Sequence, residues 1–212
     1  MTRFLSLAAV AICASPGIAV AQDASMSFFI TSVSPGKGGD LGGLAGADAY
    51  CGQLAAAAGS TGKTWKAYLS TAAENARDRI GTGPWYNAKG VQIAKDLETL
   101  HKDPVIFVQT ALTEKGEQVN GSGTSPNQHD ILTGSQADGT AFPAGQDRTC
   151  GDYSKSGDEG SVMLGHHDRT GPTRFASPTQ TSWNAAHPSA GCSVAKLRQS
   201  GSGGLLYCFA AK

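Results

Sequence analysis

Four histidines and their acidic neighbours carry the side chains best suited to chemistry in this 212-residue chain. His129 and Asp130 are adjacent, the stretch GHHDR (165–169) holds His166, His167 and Asp168, and His187 stands apart. Neutral imidazole is a good zinc ligand, with an affinity that falls as the ring protonates below about pH 6.5. Neighbouring residues of a strand face opposite ways, so His166 and His167 cannot both reach one ion unless the chain bends. The expectation is a site that uses His166 or His167 with a distant partner, His129 or His187. The competing assignment has these rings hydrogen-bonded to loop carbonyls.

Two glycine-rich stretches invite a phosphate-binding reading, and both fail. A dinucleotide fingerprint needs glycines at its first, third and sixth positions. Gly36 and Gly38 supply two, but Leu41 occupies the sixth. The stretch AAAAGSTGKT ends like a P-loop at Gly62-Lys63-Thr64, yet Ala57 stands where its first glycine belongs. A P-loop also opens a helix so that free amides meet phosphate, whereas this one follows a helical stretch and leads into a strand. Neither G-x-S-x-G nor H-E-x-x-H occurs, so no enzyme signature is present and no catalytic residues are assigned.

The elements that must position such residues read as mixed α+β. The stretch MSFFITSV (26–33) is rich in β-formers. Residues 45–58 are alanine-rich, with Asp48 in the first turn and Gly59 just beyond, which predicts a helix. Period-two burial of Trp65, Ala67 and Leu69 predicts a strand over 64–70. Thr71 and Glu74 have capping-box spacing for a short helix toward Ile80, and 94–101 reads as a helical turn or two. Beyond these, ALTEKGEQV, DILTGS, TCGDYS, SVMLGH and GLLYCFA are expected to be short strands between loops. The dense Gly, Ser, Thr, Asp and Pro content of 115–190 reads as ordered loops rather than disorder. Two helices ahead of many short strands argue against βαβ alternation.

The N-terminus reads as a secretory leader. Arg3 precedes an apolar run from Phe4 to Ala14, and small residues end at Ala19-Val20-Ala21, which predicts cleavage after Ala21. Ser15-Pro16-Gly17 interrupts a run already too short to span the bilayer. A single domain over 22–212 is expected, secreted or periplasmic and not membrane-spanning. Of five cysteines, Cys13 leaves with the leader, and Cys51, Cys150, Cys192 and Cys208 remain. Two disulfides follow, with three pairings open. Without Arg3 the chain has 16 basic and 17 acidic residues, so nucleic acid is not an expected partner. Aromatics make up only 7% of the sequence, which implies a modest core stapled by the bridges.

Several ordered motifs resemble the endostatin domain of collagens. GGLAGADAYCGQLAAAAGSTGKTWKAYLST (42–71) matches its glycine-rich entry, its helix with the first cysteine, its turn and its aromatic-containing strand. WYNAKG, LTGSQADGT, TCGDYS, GCS and LLYCFA follow in the family's order. The resemblance implies the C-type-lectin-like fold and nested disulfides, Cys51–Cys208 enclosing Cys150–Cys192. Exported bacterial proteins with this pattern are commonly labelled lectins. It therefore implies a non-enzymatic binding module for a glycan or another envelope or extracellular partner. A structural or adhesive protein and a metal-dependent hydrolase are the alternatives.

Sugar-binding C-type lectins hold calcium with a proline-centred loop tripeptide and a Trp-Asn-Asp set. Here those positions read Gln136-Ala137-Asp138 and Trp183-Asn184-Ala185. The proline and the final aspartate are missing, and calcium needs six to eight oxygens. Ligand binding is thus expected at Gln136, Asp138, Trp183, Asn184 and Tyr153 without calcium held in that manner, and zinc or calcium remain the candidate ions.

Overall fold

A computed structural model describes residues 23–170 and 181–211. In chain order its elements are β1 (Phe28–Ile30), α1 (Gly43–Ala57), β2 (Thr64–Ala67), α2 (Ala76–Arg79), β3 (Trp85–Tyr86), β4 (Gln92–Ala94), α3 (Leu97–Lys102), β5 (Asp130–Leu132), α4 (Cys150–Tyr153), β6 (Met163–His166), β7 (His187–Pro188), α5 (Val194–Gln199) and β8 (Ser202–Ala211). The fold is α+β, with few helices and small sheets. The expected leader lies outside the described residues. Among those described, no helix is long and apolar enough to cross a membrane.

The ten-residue β8 organises the main sheet, whose strand order is β1-β8-β5-β6-β7. β1 lies antiparallel along one edge; the other is shared by parallel β5 and antiparallel β2. Alternation along β8 divides the core in two. Leu206, Cys208 and Ala210 face α1 through Ala47, Cys51 and Ala55, together with Phe29 and Leu132. Leu205, Tyr207 and Phe209 face the aromatic side, with Phe28, Tyr68, Trp85 and Trp183. Both faces of the sheet are therefore dry, which accounts for the near-continuous apolar run in LLYCFA.

Two bridges tie these layers. Cys51–Cys208 joins α1 to β8, and Cys150–Cys192 joins α4 to the segment before α5. These are the pairs that the resemblance implies. α1 ends as expected: Gly59 sits at φ 88°, and the amides of Gly59 and Ser60 return to Ala56 and Ala55 carbonyls. Asp48 does not serve the first turn; it joins Lys66 and Arg79 in ion pairs across to β2 and α2.

Three expectations fail for local reasons. Thr71 does cap Glu74 N–H at 3.1 Å, but the chain turns again and α2 starts only at Ala76, whose amide bonds Ser70 Oγ. The 111–119 stretch folds back on itself through a turn at Gly116, leaving isolated bridges at Leu112–Gln118 and Ile30–Thr113. TCGDYS is not a strand. Cys150, Gly151, Asp152 and Tyr153 all have φ between 52° and 63°, a left-handed turn held by Asp147 accepting from Thr149 and Gly151 amides.

Candidate metal centre and adjacent groove

Three neighbouring strands bring the histidines together. Asp130 opens β5 and stands opposite His166 at the end of β6, while His187 opens β7 opposite Leu164. Leu164 and His166 share a face of β6, so His187 joins Asp130 and His166 on it. His129 lies one residue ahead of β5, where its N–H bonds Asn127 Oδ1 and its carbonyl accepts from His167 N. Gly165 permits this close layering, because a Cβ there would strike the Trp183 carbonyl.

Asp130 is the hub. It is 0% exposed, and Nε2 of His166 lies 2.8 Å from its Oδ1, with Nε2 of His129 at 3.5 Å. Nε2 of His187 stands 3.5 Å from Oδ2. The 2.8 Å approach lacks hydrogen-bond alignment, and neither carboxylate oxygen accepts a hydrogen bond among the described residues. Burying a carboxylate without donors is costly unless a cation shares the space.

The opposite ring nitrogens are held from behind. His166 Nδ1 is 2.6 Å from the Thr170 carbonyl, and His187 Nδ1 is 3.1 Å from that of Pro188. A carbonyl only accepts, so each Nδ1 carries the proton and each Nε2 is directed at Asp130. His129 Nδ1 faces Asp168 Oδ1 at 3.5 Å. Burial alone would lower the His129 pKa, but contact with Asp168 and the charge of Asp130 outweigh it and leave it raised. For Asp168, burial acts upward. Contact with His129 and amide donation from Ser122 and Thr170 prevail, holding it far below the carboxylate range.

Of the two adjacent histidines, only His166 joins the cluster. His167 points the other way, with Nε2 3.3 Å from the Asn120 carbonyl. Asp130 was not singled out as a donor by sequence reasoning. An aspartate beside a histidine at the start of a strand was the only sign of it.

The residues at the lectin-like positions are placed otherwise. Trp183 is 2% exposed and donates from Nε1 to the Leu100 carbonyl; Tyr153 is fully buried, its hydroxyl on the Ser70 and Thr133 carbonyls. Neither presents a surface to a ligand, a correction that follows from their packing. Asn184 is buried too: its amide donates toward Tyr68 Oη and the Gln136 and Ala137 carbonyls, and its own carbonyl accepts from Ser182 Oγ. Asp138 is exposed, accepting from the hydroxyl and amide of Thr140, which lower its pKa.

Of that set, Gln136 lines a groove. A groove of about 420 Å³ runs between the 136–148 loop and β6–β7. Ala185, Ala186 and Met163 lie along it, with Phe142 and Pro188, and Gln146, Arg148 and His187 add polar groups. The ring of His187 is 34% exposed, so it belongs to both groove and centre. No family model matches the chain, and no curated protein matches it.

Proposed function

We propose that the chain is an exported, non-enzymatic binding domain of the C-type-lectin-like, endostatin type, and that a glycan is its ligand. The observation that carries this reading is the groove beside β7. Its apolar lining, including the Phe142 ring, suits the C–H face of a sugar. Gln146, Arg148 and His187 offer planar amide, guanidinium and imidazole groups to hydroxyls. The volume lies within the range of small-ligand sites. The ordered motifs, the two cysteine pairs and the leader-like N-terminus support the family and compartment. Calcium has no part in the binding, because the Asn184 carbonyl is already engaged by Ser182 and Asp138 is the sole carboxylate in the loop tripeptide.

A glycan array with the oxidised protein in chelator tests this. The expected result is a hit that survives chelator and weakens about tenfold or more in Arg148→Ala and Phe142→Ala, a loss of about 1.4 kcal/mol or more. An empty array, or a hit indifferent to both substitutions, favours a structural or adhesive protein without a sugar site.

A further inference from the structure

We infer that His129, Asp130 and His166 form a site for one transition-metal ion, and that zinc is the ion they suit. This goes beyond the groove reading and does not depend on it.

Three features point to a cation. The first is convergence: ligand atoms of His129, Asp130 and His166 all lie within 4.8 Å of one another, and Nε2 of His187 stands near the other oxygen of the same carboxylate. Zinc bonds nitrogen and oxygen at about 2.0–2.1 Å, which places tetrahedral ligand atoms about 3.4 Å apart. The 3.5 Å between His129 and Asp130 is already close to that value. The 2.8 Å between His166 and Asp130 needs only a small opening.

The second is a mismatch of hydrogen-bonding types. With Nδ1–H committed to Thr170, the remaining nitrogen of a neutral His166 is a lone pair. It faces Asp130, which when ionised also only accepts. Such a pairing is repulsive until something positive stands between them. Among the described residues ten buried side-chain polar atoms lack a hydrogen-bond partner, and four of them, Asp130 Oδ1, Asp130 Oδ2, His166 Nε2 and His129 Nδ1, lie together in this cluster. The third feature is the outer layer. Thr170 and Asp168 stand behind the two rings, as carbonyls and carboxylates do behind metal-bound histidines.

The donor set identifies the ion class. Two imidazoles and one carboxylate suit zinc and its neighbours, whereas calcium and magnesium require mostly oxygen ligands. These three donors fill three of four tetrahedral positions and leave the fourth for a solvent molecule. The ion would tie the start of β5 to the end of β6, and the partly exposed His187 beside it gives it an entry.

The test is zinc titration of the tag-free, oxidised chain after stripping with chelator, with a chromophoric competitor as the readout and cobalt as a spectroscopic substitute. One equivalent should bind with Kd tighter than about 1 μM, and cobalt should show the intense visible bands of a tetrahedral complex. Asp130→Asn and His129→Gln should each weaken zinc by about 100-fold or more, since loss of an outer partner alone costs 10–100-fold. Asp138→Ala should leave it unchanged. His129 lies outside the strand, ahead of β5, so His129→Gln decides the matter even where Asp130→Asn fails to fold. No saturable uptake, or uptake unaltered by His129→Gln, overturns the site.

Discussion

His101 and His166 are held alike and differ in what they face. Each has Nδ1 within 2.7 Å of a backbone carbonyl, Leu97 for His101 and Thr170 for His166. Each therefore directs Nε2 inward as an acceptor. His101 meets Tyr68 Oη at 2.8 Å, and a hydroxyl can donate. Tyr68 in turn accepts from the Asn184 amide, whose carbonyl accepts from Ser182. That network closes with every group paired and no net charge. His166 instead meets Asp130, which has nothing to donate. A closed polar network holds a fold together, and an open one with an unpaired carboxylate is arranged for something that arrives from outside.

The contrast predicts separable effects. Trp183→Ala removes a buried ring tilted against Tyr68 and edge-on to Tyr207, and the bond to Leu100. It should cost about 3–5 kcal/mol in chemical denaturation; a loss confined to glycan affinity would contradict its place in the scaffold. Asn184→Ala should cost about 1–3 kcal/mol by orphaning its partners, with zinc stoichiometry intact, and a fall in zinc affinity would merge the two networks that the comparison separates. Asp168→Asn should touch both properties. Zinc should bind about 10–100-fold more weakly through the loosened His129 ring, and metal-free stability at neutral pH should fall as well, because the Ser122 and Thr170 amides and His129 lose a charged acceptor.

The smallest effect is one of pH. Burial, aided by Arg77, pushes the His101 pKa down against the pull of the Leu97 carbonyl and Asp138. The unfolded chain then binds the proton more readily, so this contribution is complete above about pH 6.5 and is lost as pH falls toward the folded value. Denaturation in chelator at pH 7.5 and 5.5 should show lower stability at the acid end, and His101→Gln should reduce the slope. A slope unchanged by His101→Gln would mean that the ring is not held neutral.

Much of the frame was legible because it rests on local rules or on motif order. The helix carrying Cys51, its Gly59 terminus, the strands around Phe29 and Trp65, and the apolar last strand all follow from propensity and periodicity. Two of the missed segments lie where side chains override propensity. Asp147 winds 150–153 into a left-handed turn that no periodicity encodes, and Ser70 restarts the chain at Ala76. Of the cluster, alternation predicts that His166 and His167 face opposite ways, as they do. The role of Asp130 was hidden, because it arises only when β5 lies beside β6 with Asp130 opposite His166. Trp183 and Asn184 were singled out by position in a motif, and position alone does not distinguish a ligand from a strut.

The most direct measurement is diffraction from zinc-soaked crystals of the oxidised protein, with data on either side of the zinc absorption edge. The expected result is one strong anomalous peak among the His129 and His166 rings and the Asp130 carboxylate, about 2.0–2.1 Å from a ligand atom of each. No peak there at full zinc occupancy, or a peak at Asp138 beside an otherwise unchanged His–Asp cluster, would contradict it.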